Sequence, residues 1–369
     1  MHSAAKTHVM VLSNSLNIGG AQRFAGRLIC GLDRSRLQPQ LVLLQDDIHY
    51  RLPDGVPVRV LGYRKPKDLP AAVWRLRRLI RRTAPDVVLG VGTSVNVVAG
   101  CALLTLGRRP AWIARVDIHR RDMRFRKALL GLLYPMADAI VANSTGLRQA
   151  LMEDYARQRR KIGCLPNPVD FKEVDRLARE ASCWKIKRSV PLLVTLGRAY
   201  PAKRWDILLD AFSRMVATTP AELAVCGDGP LLNQHKQRAR QLNLQDRVHF
   251  LGHCDNPFPL LAQADLFVFS SEAEGLPNAL IEAQGMGLCA VATRCEYGPE
   301  EIIGDGVTGK LVPVNDAAAL ADAMRTLIED RSLRDQMGRA AAQQARRRFD
   351  FASRCKEWEA FIVKTASVS

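Results

Sequence analysis

The sequence predicts an α/β protein with two doubly wound domains, each built around a parallel sheet. Its 369 residues are too many for one ordinary hydrophobic core and fit two domains. Short runs of Val, Ile and Leu alternate with helical patterns, which is typical of a parallel sheet covered by helices on both faces. The alternation pauses near residue 168 and restarts near residue 191, so a domain boundary is expected between residues 168 and 169.

The first domain, residues 1–168, alternates strands with helices throughout. Apolar runs predict strands at residues 8–13, 40–44, 56–61, 86–92, 111–116 and 138–143. Helical periodicity predicts helices at residues 21–32, 70–82, 95–106, 125–134 and 145–153. This order of elements indicates a doubly wound domain.

The second domain, residues 169–351, follows the same scheme. Strands are predicted at residues 191–197, 221–227, 247–252, 265–270 and 289–293. Helices are predicted at residues 171–188, 203–216, 231–242 and 317–329. Residues 332–361 form a helical tail that is interrupted near residues 349–351, and this tail is long enough to return to the first domain.

The positive charge of the chain lies entirely in its first half. The net charge is +17, and residues 1–168 hold 28 Lys+Arg against 11 Asp+Glu, which already gives 28 − 11 = +17. The remaining residues hold 26 of each sign. Such asymmetry favours an anionic partner for the first half: a membrane surface, a phosphorylated acceptor or nucleic acid. The alternative is a merely solubilising surface.

Two basic helical stretches favour the membrane among these partners. Residues 74–82 place three apolar side chains on one helical face with arginines around them, and a second basic block at residues 120–127 leads into the apolar residues 128–133. Basic amphipathic helices can lie on an anionic bilayer. Either stretch alone could also be an ordinary helix that faces the core.

Cysteine usage and hydropathy indicate a cytoplasmic protein. The nine cysteines are scattered without a C-x-x-C pair, which argues against a disulfide framework or a structural zinc site and favours a reducing compartment. Residues 1–7 do not have the features of a signal peptide. No apolar run reaches the ~18 residues that a membrane helix needs.

Residues 270–283 combine a strand end, a turn and the start of an apolar helix. Gly275 and Pro277 form the turn, and Pro277 is expected just inside the helix. Glu274 then lies at the carboxyl edge of the sheet, and Glu282 lies about one turn into the helix. Ligands bind at this edge of α/β sheets, and a helix start favours an anion. The alternative is a helix with two solvated glutamates.

Three further loops follow strands and could bind phosphate groups. Arg198 and Lys203 lie five positions apart in a strand-to-helix loop, where two cations could hold a diphosphate. Residues 226–230 form a glycine turn after another strand, and Gly19 and Gly20 precede the first helix of the chain. Alternatively, the cations are exposed side chains and the glycines belong to ordinary turns.

Three other patterns give weaker indications of a functional site. Residues 304–310 fail as a phosphate loop because Leu311 stands where Ser or Thr is needed, so they are interpreted as a glycine turn. His249 and His253 straddle a strand end and are not expected to share a zinc ion. His119 follows a strand of the first domain and is either a site residue or a surface histidine. The markers of hydrolases and dehydrogenases are missing.

Taken together, these motifs resemble family 4 of the retaining glycosyltransferases. The specific matches lie in the second half: G-R-x-x-x-x-K at residues 197–203, C-G-D-G-P at 226–230, F-L-G at 250–252 and S-x-x-E-G-L-P-N-A-L-I-E-A at 271–283. Looser matches lie in the first half: G-G-A-Q-R at residues 19–23, N-S-T at 143–145 and P-N-P-V-D at 166–170. The resemblance covers nearly the whole chain and implies the GT-B fold. In that fold two Rossmann-like domains, for acceptor and donor, face across a cleft, and the last helix, about residues 352–369, packs back on the first domain.

The family's functional residues can be carried over to matching positions. Arg198 and Lys203 would bind the donor diphosphate, Glu274 would contact the donor sugar, and Glu282 would contact the ribose. His119 would match the family's histidine near the sugar, and it is expected to be catalytic with Glu274, Arg198 and Lys203. The other donor contacts that the resemblance implies are Gly19, Gly20, Gly227, Gly252, Gly275, Leu276, Pro277 and Asn278.

The resemblance implies transfer of a hexose or an N-acetylhexosamine from a nucleotide diphosphate sugar, UDP-linked, with retention of the anomeric configuration. Because one glutamate is assigned to the ribose, the two carboxylates do not form a hydrolytic pair. No metal or other cofactor is expected, since the two cations would neutralise the leaving diphosphate.

Residues 278–282 together with residues 295–303 resemble the members that build bacterial surface polysaccharides, lipopolysaccharide among them. The expected partners are therefore a lipid-linked or saccharide acceptor and, for the basic first domain, the anionic inner face of the cytoplasmic membrane, where the protein would be peripheral.

Two other functions are kept as alternatives. A sugar-nucleotide 2-epimerase of the same architecture would consume UDP-sugar without an acceptor. A non-catalytic, basic nucleic-acid-binding protein would need aromatic side chains among its basic ones, and aromatic residues are only 6% of the chain. Nucleic acid is therefore not expected as a partner.

Overall fold

The computed structural model describes residues 6–17, 19–49, 52–118, 124–182 and 189–367, with only the backbone of residues 124–127. The chain divides into two compact units. One comprises Met1–Pro168 and Phe351–Ser369, and the other comprises Val169–Asp350. Each unit contains its own parallel sheet, as the sequence predicts.

The first unit is a seven-stranded sheet with its helices. Its strands are β1 (Thr7–Ser13), β2 (Leu37–Leu43), β3 (Val58–Val60), β4 (Val87–Val91), β5 (Ala111–Val116), β6 (Ala139–Ala142) and β7 (Ile162–Cys164). Its helices are α1 (Gly20–Gly31), α2 (Leu69–Thr83), α3 (Thr93–Leu104), α4 (Arg124–Leu133), α5 (Thr145–Asp154) and, from the end of the chain, α14 (Phe351–Ala366). The strand order is β3-β2-β1-β4-β5-β6-β7.

The core of the first unit forms because its central strands are buried on both faces and, apart from Arg115, apolar. Every residue of β4 and β5 is buried. Helix α14 closes this core, since Trp358 has no exposed surface and its ring centroid lies 5.0 Å from that of Phe24 on α1. The Trp358 indole N–H also donates to the carbonyl of Pro166, with 3.4 Å between the two atoms. These contacts fix the last helix to the first unit.

The second unit is a six-stranded parallel sheet with its helices. Its strands are β8 (Leu192–Leu196), β9 (Glu222–Cys226), β10 (Val248–Gly252), β11 (Leu266–Phe269), β12 (Ala290–Thr293) and β13 (Gly309–Val312). Its helices are α6 (Phe171–Ala178), α7 (Trp205–Val216), α8 (Leu232–Gln241), α9 (Phe258–Leu261), α10 (Asn278–Gly285), α11 (Pro299–Ile302), α12 (Ala317–Glu329) and α13 (Arg331–Arg348). The strand order is β10-β9-β8-β11-β12-β13.

Both sheets reverse their strand order at an equivalent place. In the first sheet the reversal lies between β1 and β4, and in the second it lies between β8 and β11. The connections at such a point run to opposite sides of the sheet and leave a crevice outside the carboxyl ends of the strands, where ligands bind in this class of fold. In the second unit, this crevice is bordered by the loops after β8 and β11.

The structure agrees with most of the predicted elements. Strand β5 and helix α12 have the predicted bounds, and the break in the tail falls at residues 349–350. Strands β7 and β13 were missed because they are short and contain glycine. The helix predicted from Lys203 begins at Trp205, and the helix predicted at 171–188 ends at Ala178, while residues 183–188 lie outside the described ones.

Three further features concern possible membrane helices, metal ligands and cysteines. Within the described residues, no helix combines the length and the apolar character needed to cross a bilayer. The same part of the chain contains no cluster of three or more His, Cys, Asp or Glu side chains that could hold a metal ion. All of its cysteines are free thiols.

Candidate functional site

Lys203 and Glu274 meet at the point where the second sheet reverses its strand order. The Lys203 Nζ lies 2.6 Å from Glu274 Oε1, and the two side chains are 23% and 14% exposed. Lys203 ends a short 3-10 turn, Pro201–Lys203, between β8 and α7, and Glu274 lies between β11 and α10. The Lys203 ammonium also lies 4.9 Å from the centre of the Phe269 ring. The pair is therefore fixed, yet open on one side.

Backbone contacts tie these two loops together. The hydroxyl of Ser270 donates to the carbonyl of Lys203, and the N–H of Glu272 donates to the carbonyl of Ala202, each over 2.8 Å. Sequence reasoning placed the two loops at the same edge of the sheet but could not show that they bond to each other. These bonds set the spacing at which the Lys203 side chain reaches Glu274.

Arg198 lies in the same loop as Lys203, with its guanidinium on an aromatic ring. Its Cζ is 4.8 Å from the centre of the Tyr200 ring, and its Nη2 donates to the Tyr200 hydroxyl over 3.1 Å. Within the described ranges, its guanidinium makes no ion pair with a carboxylate. Arg198 therefore keeps a cation available for an anionic ligand beside the Lys203–Glu274 pair.

The glycine turn after β9 packs against the loop that carries Arg198. The N–H of Gly227 donates to the carbonyl of Gly252 over 2.7 Å. Gly227 has a φ of +145°, and a Cβ at this position would lie 1.6 Å from the carbonyl oxygen of Gly197. Only glycine permits this approach. Gly252 has a φ of +70° and open space around it, so its backbone conformation alone favours glycine there.

The turn into α10 differs from the prediction at Pro277. Pro277 precedes the helix, which begins at Asn278, so the expectation that it lies inside the helix was wrong. As a proline it also has no N–H to offer a ligand, unlike Gly275, Leu276 and Asn278. Glu282 lies on α10 with no exposed surface, so the alternative of a solvated glutamate is wrong at this position, and its contact with a ribose stays a prediction.

Cys295 lies close to the Lys203–Glu274 pair. Burial raises the pKa of its thiol to about 12, and the negative charge of Glu274 adds a smaller rise. The thiol points its hydrogen toward the carbonyl of Tyr297, with 3.6 Å between the two heavy atoms. Cys295 is thus a neutral thiol that packs beside the pair at physiological pH.

In the first unit, the predicted glycines lie at the start of α1. Gly19 is the residue before the helix and Gly20 is its first residue, so this loop follows β1 at the carboxyl edge of the sheet. A Cβ at Gly19 would lie 2.3 Å from Oε1 of Gln22, so the Gln22 side chain covers this glycine. His119, the remaining predicted site residue, lies outside the described residues, and its placement stays a prediction.

An ion pair at the end of β5, whose arginine is fully buried, was not predicted. Arg115 has no exposed surface, and it pairs with Asp117 and donates from Nη2 to Asn167 Oδ1 over 2.5 Å. Its Cζ lies 3.5 Å from the centre of the Phe24 ring. Burial lowers the pKa of Arg115 and raises that of Asp117, and the attraction between the two charges opposes both shifts. The only signal in the sequence was one arginine within an otherwise apolar strand.

The structure also describes the glycine-rich residues 304–310 and the histidines His249 and His253. Residues 304–308 form a turn that leads into β13, which begins at Gly309, and Gly304 donates its N–H to the hydroxyl of Thr308 over 2.8 Å. The interpretation as a glycine turn is confirmed. His249 lies 3.0 Å from a carboxylate oxygen of Glu222, and His253 lies 3.1 Å from one of Asp255.

The arrangement in the second unit suits an anionic ligand with hydroxyl groups. Arg198 and Lys203 can bind phosphate oxygens, and Glu274 can accept hydrogen bonds from hydroxyl groups next to that phosphate. The charges of Lys203 and Glu274 keep one another in place before a ligand arrives, and such preorganisation favours electrostatic catalysis.

Comparison with known proteins identifies the class. Residues 18–173 match the model of Glycosyltransferase Family 4, and residues 181–344 match that of Glycosyl transferases group 1. The chain is 30% identical over 324 residues to the lipopolysaccharide core biosynthesis glycosyltransferase LpsE of Rhizobium meliloti, which covers 86% of this chain and 88% of that protein. The protein belongs to glycosyltransferase family 4. The resemblance that its motifs indicated is thereby confirmed.

Two further proteins are similar to this chain over most of its length. N-acetylgalactosamine-N,N'-diacetylbacillosaminyl-diphospho-undecaprenol 4-alpha-N-acetylgalactosaminyltransferase of Campylobacter jejuni is 27% identical over 336 residues, which is 87% of this chain and 90% of that protein. HepE of Anabaena, solved in complex with UDP and glucose, superposes with a TM-score of 0.81 at 20% identity, over 97% of this chain and 100% of that one.

The sucrose-phosphate synthase of Thermosynechococcus elongatus superposes with a TM-score of 0.82 at 15% identity, over 99% of this chain and 100% of that one. Likenesses of this kind establish the fold of the glycosyltransferase as GT-B, which the sequence analysis predicted.

Proposed function

We propose that this glycosyltransferase transfers a hexose or an N-acetylhexosamine from a UDP-sugar to a lipid-linked or saccharide acceptor, with retention of configuration and without a metal ion. The product would belong to a bacterial surface polysaccharide or glycolipid. The observation that carries the proposal is the Lys203–Glu274 pair, 2.6 Å apart, with Arg198 in the same loop.

The donor diphosphate is assigned to Arg198 and Lys203. As the bond from the sugar to the diphosphate breaks, negative charge grows on the leaving oxygen, and fixed cations stabilise that charge more than they stabilise the ground state. This role is the one a metal ion has in other transferases. Glu274 would bind hydroxyl groups of the donor sugar, and its contact with Lys203 joins the sugar site to the diphosphate site.

The nucleotide and the acceptor are inferred from similar proteins. HepE is solved in complex with UDP, which supports a UDP-linked donor. The name of the Campylobacter relative contains a diphospho-undecaprenol acceptor, and LpsE is named for lipopolysaccharide core biosynthesis. A lipid-linked acceptor carries its own diphosphate, which would suit the basic first unit.

A surface on the first unit supports association with a membrane. Trp74 on α2, Leu104 at the end of α3 and Leu132 on α4 are 57%, 56% and 76% exposed. Helix α2 packs against α3, and α3 packs against α4. Large apolar side chains near exposed arginines such as Arg78, whose Cζ lies 5.6 Å from the Trp74 ring centre, suit an anionic lipid surface.

The test is a transfer assay with the full-length protein. UDP-glucose, UDP-galactose, UDP-GlcNAc and UDP-GalNAc would each be incubated with polyprenyl-diphosphate saccharides, with and without EDTA. We expect one donor to give a glycosylated product, an α-anomeric signal by NMR from the α-linked donor, and an unchanged rate in EDTA.

Three outcomes would contradict parts of this proposal. A β-linked product would contradict retention, and loss of activity in EDTA that is restored by a divalent cation would contradict metal independence. Release of a 2-epimer of the UDP-sugar without an acceptor would favour the epimerase instead.

A further inference from the structure

The residue directly after Lys203 has an unusual backbone conformation. Arg204 has φ of 46° and ψ of 45°, which is the left-handed region, and it caps the N-terminus of α7. Residues with a side chain seldom adopt this conformation, and strain of this kind persists only where other contacts hold it. The contacts of the Arg204 side chain show what holds it.

The Arg204 guanidinium joins three separate segments. Its Nη1 lies 3.1 Å from Oε2 of Glu272, in the loop after β11. Its Nε and Nη2 donate to the two carboxylate oxygens of Asp206 over 3.1 and 2.9 Å, at the start of α7. Nη1 also donates to Oδ1 of Asn315, in the loop between β13 and α12. A planar guanidinium with donors in fixed directions can make all of these contacts at once.

The partner in the third segment has the same unusual backbone. Asn315 has a φ of +62°, and it belongs, with Arg204, to the few residues other than glycine with positive φ in the described part of the chain. Asparagine tolerates this region better than most residues. The two left-handed residues therefore face each other through a direct hydrogen bond, which fixes one loop against the other.

The Arg204 contacts lie next to the Lys203–Glu274 pair. Lys203 and Arg204 are consecutive, and they bind Glu274 and Glu272, which are two positions apart. Glu272 is in addition held by its N–H bond to the carbonyl of Ala202 over 2.8 Å. Arg204 and Glu272 line a surface cavity of about 590 Å³, and neither Lys203 nor Glu274 lines it. The Arg204 contacts thus form a second connection between the same two loops.

We propose that Arg204 is a positioning residue for Glu274. Its bond to Glu272 holds residues 270–274 against the turn at residues 201–204, and its bond to Asn315 fixes the guanidinium itself, so that the Glu274 carboxylate stays where the donor sugar requires it. This inference rests on the proposed function, in which Glu274 binds that sugar. Catalytic groups must be held within about 0.5 Å of their productive place, which is the precision that a rigid second connection supplies.

The decisive variant is Arg204→Gly. Glycine adopts the left-handed conformation without strain, so the turn can form while all the side-chain contacts are lost. We expect kcat to fall about 10- to 100-fold, as for other displacements of about 1 Å at an active site, with the donor KM within about threefold of wild type. The melting temperature should stay close to that of the wild type.

Two further variants sharpen this result. Arg204→Lys keeps the charge but cannot make forked bonds to three partners, so its kcat should lie between those of the wild type and Arg204→Gly. Glu272→Gln removes one end of the main contact. If the two residues act through each other, the double variant Arg204→Gly with Glu272→Gln should lose little more than Arg204→Gly alone.

A second readout does not depend on activity. Hydrogen exchange at the Glu272 amide, which bonds to the carbonyl of Ala202, should speed up about tenfold or more in Arg204→Gly, while exchange in the strands of the second sheet stays unchanged. If the wild type transfers no sugar from any donor, the proposed function fails, and this exchange still reports whether Arg204 holds the loop.

The matched control is Arg238→Gln. Arg238 lines the same cavity and pairs with Asp210 over 2.8 Å, and the described residues show no bond between it and either loop. This variant should match the wild type in kcat and in exchange at Glu272. Wild-type kcat in Arg204→Gly, a loss of kcat without faster exchange at Glu272, or faster exchange throughout the second sheet would each overturn the proposal.

Discussion

The carboxyl edges of the two sheets can be compared directly, because both sheets reverse their strand order at the equivalent place. In the second unit, the ion pair at this edge, Lys203–Glu274, is partly exposed and can receive a ligand. In the first unit, the cation of the pair Arg115–Asp117 is fully buried, since Arg115 has no exposed surface, while the Asp117 side chain is 16% exposed.

The net charge, in contrast, is concentrated in the first half of the chain. Residues 1–168 carry the whole net charge of +17, whereas the rest of the chain is balanced. The comparison suggests that the same scaffold serves two purposes. The second unit would concentrate charged groups at one ligand site, and the first would spread positive charge over its surface and keep the Arg115–Asp117 pair for stability. This division can be tested, and the largest effect is expected at the ligand site of the second unit.

The first prediction concerns the exposed pair of the second unit. Lys203→Ala and Glu274→Ala should each lower kcat/KM about 1,000-fold, because each removes a charged contact that strengthens as the donor bond breaks. The melting temperature should change little, since both side chains are partly exposed. Steady-state kinetics and thermal denaturation would measure both quantities. Arg240→Ala, which removes an exposed cation from α8, is the control, and wild-type kinetics in either site variant would refute the assignment.

The second prediction concerns the Arg115–Asp117 pair of the first unit. Asp117→Asn leaves the Arg115 charge buried without its counter-ion, which should lower the free energy of unfolding by about 3 kcal/mol or more. Asp210→Asn breaks the pair with Arg238 on the surface of the second unit and should cost less than about 1 kcal/mol. Urea denaturation of both variants measures the difference. Equal losses would show that the two pairs do not differ as proposed.

The third prediction concerns the basic surface. Arg78→Gln and Arg81→Gln on α2 should each weaken binding to vesicles that contain anionic phospholipid by about fivefold, since each arginine near such a surface contributes about 1 kcal/mol. Neutral vesicles should bind the wild type weakly. Arg240→Gln, on α8 of the second unit, is the matched control. A similar loss in all three variants would mean that the first unit has no special affinity for lipid.

Much of the fold follows from local patterns in the sequence. Strand β5 has its predicted bounds because six consecutive residues are buried, and only apolar residues tolerate that environment without a partner. Strand β13 could not be predicted in this way, because it begins with a glycine and follows a turn. The start of α7 was predicted two residues too early because the left-handed Arg204 ends the preceding turn. An arginine side chain does not indicate a left-handed backbone, so the sequence could not predict this.

The candidate site could likewise be predicted only in part. The sequence placed Arg198, Lys203 and Glu274 at one edge of a sheet from the order of strands and loops alone. It could not give the 2.6 Å contact, which joins residues 71 positions apart. The burial of Glu282 could not be predicted either. Helical periodicity places this residue on a face of α10 but does not show that its carboxylate has no exposed surface.

The most direct test of the central claim is calorimetric titration of UDP into the wild type and into Lys203→Ala. The account holds that the loops of the second unit bind the donor diphosphate through this cation. It predicts that UDP binds the wild type and that Kd rises at least about tenfold in the variant, which corresponds to the loss of about 1.4 kcal/mol of binding free energy. Equal affinity for UDP in the two proteins would contradict it.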